Sequence, residues 1–227
     1  MKKIAVSFVL CLLASVAVFA DDLVVDPLFE DIDGHDYDYA IEYVANRGIV
    51  EGYDDGTYRP DNLINRAEFT KIIVEALYDE EDYEEFDLPD EVGSYEHADC
   101  FFDIPVDQWY EKYVCFAKSQ GIIGGYPGGD FQPGSEINYI EALKVVLRAY
   151  ESVGLIEELG SEEDAKYWYG PYSDYVYDDY VVKKEIEATG GFVAIPYLAL
   201  HGYVALDEEI TRAETAVIIS WIMLMTQ

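Results

Sequence analysis

The sequence predicts a mainly α-helical fold, in which three helix-loop-helix repeats pack around a central helical bundle. The first observation is an internal repeat. Gly48 to Glu68, GIVEGYDDGTYRPDNLINRAE, recurs as Gly121 to Glu141, GIIGGYPGGDFQPGSEINYIE, with 17 residues from the first Gly to the Asn in both copies. A shortened copy, GYVALDEEITRAE, runs from Gly202 to Glu214. Self-similarity of this kind is read before any fold is proposed, because each unit needs its neighbours to bury its apolar face. The second observation is a capping box at the start of one helix per copy, where an Asn or Thr side chain accepts from the backbone and a Glu three residues on reaches back. The pairs are Asn65 with Glu68, Asn138 with Glu141 and Thr211 with Glu214, and the caps stand 73 residues apart both times. The third is helical periodicity after each cap: Phe69, Ile72, Ile73, Ala76 and Leu77; Ala142, Leu143, Val146 and Leu147; Ile218, Ile219, Ile222 and Met223.

The elements follow in order. Residues 1–20 have a charged start (Lys2, Lys3), an apolar run from Ile4 to Phe19 and small residues before Asp21. This predicts a cleaved secretory leader, its apolar run being too short to span a bilayer comfortably. Phe29, Asp31 and Ile32 open the first repeat as Phe101, Asp103 and Ile104 open the second. Ala40, Ile41, Val44 and Ala45 form one helical stripe that Gly48 ends as a C-cap glycine; Trp109, Tyr110, Tyr113, Val114 and Ala117 do the same before Gly121. In the third copy Ala194 to Ala199 leads to Gly202, and Pro196 makes that helix start late. Two acidic stretches, 79–98 and 151–170, separate the repeats, which are read as 29–78, 99–150 and 171–225. From Tyr167 to Tyr180 the chain holds six tyrosines and Trp168, which could stack on sugars or anchor the connector by packing. The last helix, from Ala216 to Met225, is apolar almost all round but only about eleven residues long, so it reads as buried rather than membrane-spanning.

Charge excludes several classes of partner. The formal net charge is -33, and removing Lys2 and Lys3 with the leader makes it -35 over 207 residues. Nucleic acid and anionic membranes would be repelled. With 51% apolar and 15% aromatic residues the chain is nonetheless composed to fold. Cys100 and Cys115, in a secreted chain, are expected to form a disulfide, the alternative being two buried thiols; without His partners they make a poor metal site.

The order FxDI, amphipathic helix, GI, GYxDGTYxP and capped NRAE or TRAE helix resembles the S-layer homology domain. The resemblance covers about residues 29 to 225, closely in the first two copies and loosely in the third. It implies a pseudo-threefold module with the longer helices at the centre and loops projecting as prongs. It also implies a non-catalytic role: holding exported proteins noncovalently to cell-wall polysaccharide, often a polymer with pyruvate ketals, at the cell surface or wall. Carried over by motif, the ligand-contacting residues are Arg66 and Arg212 of the TRAE element and Gly52, Tyr53, Gly125 and Tyr126 of the GY element. A guanidinium at a helix start, joined by free backbone amides and the helix dipole, suits a carboxylate. Against this stand plain surface ion pairs for the arginines and plain turn geometry for the glycines. Trp109 is either a sugar platform or core. The second copy carries Tyr139 in place of the Arg, and the third has 9 residues rather than 17 between Gly202 and Thr211. Fewer than three working grooves are therefore expected, the strongest where Arg66 lies.

Two further readings compete. Asp31, Asp33, Asp36 and Asp38 form a DxDGxDxD-like run that could bind calcium, although Gly34 comes too early for an EF-hand loop and no Glu stands at the required distance. A glycan-active enzyme could use paired carboxylates, but acids are so abundant here that their pairing says little, and no nucleophile motif or phosphate loop is visible. No cofactor is required. With no second domain to anchor, the reading is a stand-alone envelope or S-layer component, with an envelope protein as a possible partner.

Overall fold

The computed structural model describes residues 28–84, 86, 100–162, 166–177 and 206–225. The expected leader, most of the first acidic stretch and the first helix of the third copy lie outside the described residues. Among the described residues seven helices are seen: α1 (Asp38–Ala45), α2 (Arg66–Leu77), α3 (Glu80–Glu84), α4 (Glu111–Ser119), α5 (Tyr139–Ser152), α6 (Gly170–Tyr177) and α7 (Arg212–Met225). Among the described residues the fold is mainly helical, and β-pairing is confined to isolated bridges.

Each long helix begins where its capping box places it. The Glu68 backbone N–H donates to Asn65 Oδ1 at 2.9 Å while Glu68 accepts from the Asn65 backbone. Asn138 with Glu141 and Thr211 with Glu214 repeat the exchange. At the other end of the unit, α1 and α4 are terminated by glycines with left-handed backbone, Gly48 at φ 74° and Gly121 at φ 72°, a conformation that costs other residues free energy.

The residues just before the caps tie the repeats together. The N–H of Ile64 donates to the carbonyl of Ile210, that of Ile210 to Ile137, and that of Ile137 to Ile64, at 3.2, 3.0 and 3.1 Å. These three hydrogen bonds close a ring, and all three isoleucines are buried. Around it, the first amides of each capped helix reach a neighbouring repeat. Arg66 and Ala67 donate to the carbonyls of Ser135 and Pro133, Tyr139 and Ile140 to Glu208 and Leu206, and Arg212 and Ala213 to Asn62 and Pro60. A helix N-terminus leaves its first amides without intrahelical partners, and here another repeat's loop supplies the acceptors. This corrects one expectation: the backbone amides at Arg66 and Arg212 are occupied and not free for a ligand.

The helices follow the same exchange. Helix α1 packs on α7, and α2 packs on α4, α5 and α7, so the short helix of one copy leans on the capped helix of another. Ile41, Val44, Phe69, Ile73, Leu147, Ala216, Ile219 and Ile222 meet in one buried core. No described helix is long and apolar enough to cross a membrane.

The FxDI motif braces each loop from behind. Asp103 accepts from the backbone N–H groups of Phe131 and Gln132 at 2.7 and 2.6 Å, and Asp31 accepts from those of Tyr58 and Arg59, both at 2.7 Å. The ring of Phe101 lies against Gly125, where a Cβ would stand 2.5 Å from Phe101 Cε1, and Phe29 lies against Gly52 in the same way. These glycines are thus required by a packed aromatic ring behind the loop.

The acidic stretches add packing of their own. Tyr83 of α3 is buried, with its ring 5.4 Å from that of Tyr113, and α6 packs on α5 through buried Tyr172. Cys100 and Cys115 are joined as a disulfide with Cα atoms 5.3 Å apart, fastening the start of the second repeat to α4. Its loop of 15 residues corresponds to about 3 kcal/mol in the chain-entropy model. A Cys100→Ser/Cys115→Ser variant is expected to lose stability of that order, read from urea unfolding of the two proteins side by side.

Candidate binding groove between the first two repeats

A cavity of about 740 Å³ opens where the first repeat meets the second, lined by Arg66, Gly125, Tyr126, Glu141, Lys144 and Trp168 among others. Arg66 is the first residue of α2, so its side chain leaves the helix start and crosses to the loop of the second repeat. Its Nε donates to the Phe131 carbonyl at 2.9 Å, its Nη1 lies 3.3 Å from Glu141 Oε2, and its guanidinium faces the rings of Tyr126 and Phe131 at 4.6 and 4.9 Å. Only 7% of Arg66 is exposed. Glu141, the N3 residue of α5, also accepts from Tyr126 Oη at 2.6 Å and so joins capping box, arginine and loop.

The same arrangement recurs between the third repeat and the first. Arg212 Nε donates to the Tyr58 carbonyl and its Nη2 to the Glu51 carbonyl, at 2.9 and 3.0 Å, with the rings of Tyr58 and Tyr53 at 4.6 and 5.0 Å. At the remaining boundary Tyr139 takes the arginine's place and donates from its hydroxyl to Glu214. The candidate residues are therefore brought together across repeats. Arg66 meets Gly125 and Tyr126, and Arg212 meets Tyr53 beside Gly52. Trp109 joins neither group: it is 52% exposed, its ring set edge-on to Tyr110.

Lys144, Glu162 and Trp168 are among the groove residues not singled out from sequence as its lining. Lys144 follows Glu141 by three residues on α5, a spacing that puts both on one helix face. Its ammonium pairs with Glu162 at 2.8 Å and lies 5.5 Å from the centre of the Trp168 ring. Glu162 and Trp168 come from the second connector, whose tyrosine-rich composition was the available signal.

Protonation follows from this packing. Burial, then the hydrogen bond to Glu141, pushes the Tyr126 hydroxyl up to about 12, against the opposing charge of Arg66. Burial likewise raises Tyr58 to about 12. Burial works against the charge of Glu162, but the hydrogen bonds and charges of Lys144, Tyr172 and Arg148 outweigh it and hold the carboxyl below its usual range. A tyrosine whose folded pKa is raised stays protonated after the unfolded chain has lost its proton. Stability is then present in full below the unfolded tyrosine value, about 10, and falls as pH rises through the folded value. Alkaline unfolding is accordingly expected to set in above about pH 10, with tyrosinate absorbance and loss of helical ellipticity rising together. Titration of all the tyrosines near their ordinary value with helicity intact would contradict it.

The acidic run near α1 is committed elsewhere in part, since both carboxylate oxygens of Asp31 hold backbone amides. Among the described residues no group of three or more His, Cys, Asp or Glu side chains is placed to hold a metal ion.

The fold and groove define a repeat protein whose loops are held by motif residues from two units at once. Residues 28–70 and 104–143 match the S-layer homology domain, and the chain carries S-layer homology domains at these positions. Among its relatives, Cell surface glycoprotein 1 of Acetivibrio thermocellus is 29% identical over 165 residues, covering 71% of this chain and 7% of that protein. Amylopullulanase of Thermoanaerobacterium thermosulfurigenes is 33% identical over 133 residues, covering 59% of this chain and 6% of the enzyme. The Cellulosome-anchoring protein of Acetivibrio thermocellus is 29% identical over 130 residues, covering 54% and 26%. The match thus spans a small part of each of these relatives.

Proposed function

We propose that this chain is a non-catalytic module of the cell surface that binds cell-wall polysaccharide noncovalently, in association with the S-layer or envelope. The observation that carries the reading is the cavity at Arg66. A buried guanidinium, a loop tyrosine and a helix-borne carboxylate converge there on an opening wide enough for a sugar residue, at a boundary between matched S-layer homology domains. The printed names of two relatives, a cell surface glycoprotein and a cellulosome-anchoring protein, support the surface setting. The amylopullulanase is matched over 6% of its length, so its name brings no catalysis to this chain. At the boundary at Arg212 a guanidinium again meets the carbonyls and rings of another repeat's loop, and the Tyr139 boundary lacks the cation. Wall polymers bearing pyruvate ketals fall within the proposed class of ligand, as do neutral ones. No comparable constellation among the described residues favours the calcium reading.

The test is cosedimentation with purified Gram-positive cell walls before and after extraction of the secondary polysaccharide. Binding that disappears on extraction supports polymer recognition. Equal binding to both preparations, or to neither, refutes it.

A further inference from the structure

We propose that the Cys100–Cys115 disulfide makes the loop of the second repeat reversibly sensitive to thiols, while the matching loop of the first repeat is not. The two loops are built alike. Asp103 holds the amides of Phe131 and Gln132 as Asp31 holds those of Tyr58 and Arg59. The rings of Phe101 and Phe131 stand 5.3 Å apart at 32°, and those of Phe29 and Tyr58 stand 5.3 Å apart at 35°. The amides of Tyr126 and Tyr53 donate across their loops to Asp130 and Thr57, both at 2.8 Å. What differs is how the segment behind each loop is fastened. Cys100 immediately precedes Phe101 and is bonded to Cys115 of α4. At the matching positions, one residue before Phe29 and six before Gly48, the first repeat has Leu28 and Glu42. In the second repeat the support therefore runs from the disulfide through Phe101 and Asp103 to Phe131, whose carbonyl accepts from Arg66 at 2.9 Å. Arg212 is held instead by the carbonyls of Tyr58 and Glu51, in a loop whose backing segment carries no cysteine.

A small dithiol supplies the chemistry. Its thiolate attacks one sulfur, a mixed disulfide forms, and its second thiol resolves it. Two electrons and two protons pass to Cys100 and Cys115, which become thiols, and the reagent leaves as a cyclic disulfide. Both cysteines are buried, at 6% and 2% exposure, so attack waits on opening of the segment. Lys118 of α4 also donates to the Cys100 carbonyl, so the reduced segment stays docked by a contact that opens and closes. The difference between the two loops holds whatever the cavity binds.

Hydrogen exchange read by mass spectrometry compares the two loops within one molecule, using the full chain oxidised, reduced with dithiothreitol, reoxidised, and as Cys100→Ser/Cys115→Ser. On reduction the amides of residues 125–132 are expected to exchange faster, by up to about a hundredfold, the opening equivalent of releasing a loop of 15 residues. Those of residues 52–59 should keep their rates, because loop amides exchange through local opening and their own contacts are untouched. The double variant should match the reduced protein, reoxidation should restore the first pattern, and circular dichroism of the same samples should show the helices retained. Equal acceleration in both loops, or unfolding of the whole chain on reduction, would make the disulfide a global staple and overturn the proposal. Unchanged exchange in residues 125–132 would overturn it too, and acceleration that reoxidation fails to reverse would overturn its reversibility.

Discussion

Arg66→Ala is expected to destabilise the protein by about 4 kcal/mol, the range for breaking one side of a buried ion pair. The side chain is enclosed between two repeats, and its removal strips Glu141 of a cation and the Phe131 carbonyl of a donor. Arg66→Lys is expected to recover only part of the loss, because a single ammonium cannot hold a carbonyl and a carboxylate in the guanidinium's planar fork while facing two rings. Urea unfolding of the three proteins measures this directly. The consequence for wall binding is practical: loss of binding in Arg66→Ala alone does not distinguish ligand contact from collapse of the groove. A wild-type unfolding midpoint in Arg66→Ala would show that the ion pair is dispensable for the fold.

Asp31→Ala combined with Asp103→Ala is expected to have a larger effect, about 6 kcal/mol. It removes four hydrogen bonds from backbone amides to carboxylate oxygens, each worth about 1.5 kcal/mol at the lower end of the range for charged acceptors. The two sites brace separate loops, so their effects should add. Two of the released residues, Arg59 and Gln132, sit at φ 58° and 61°, a left-handed backbone that non-glycine residues hold only under constraint. Circular dichroism should show a protein near or past its unfolding midpoint at room temperature, with each single variant intermediate. A single variant as destabilised as the double would show that the loops unfold as one unit.

Much of this architecture was legible because it depends on short-range chemistry. The capping boxes at Asn65, Asn138 and Thr211 need only two side chains three residues apart, and the three long helices start where those pairs occur. The left-handed glycines at 48 and 121 end the short helices for an equally local reason. The role of Asp31 and Asp103 was not legible, because their acceptor bonds close over 27 to 29 residues of intervening chain. An FxDI motif announces that something recurs without saying what its carboxylate holds.

The partners of the candidate site residues followed the same division. By itself the sequence determined the repeat, its helices, its caps and the residue types available for a groove, since each of these rests on neighbours along the chain. Only the tertiary structure decided which repeat completes which. The ring through Ile64, Ile137 and Ile210 and the helix amides donated across boundaries turn each helix start toward another repeat's loop. Arg66 therefore finds Tyr126 rather than Tyr53, and Trp168 comes from a connector to close the wall. The physical reason is that a single repeat leaves its helix N-terminus and its apolar face unsatisfied, and in this fold both are satisfied only by another repeat.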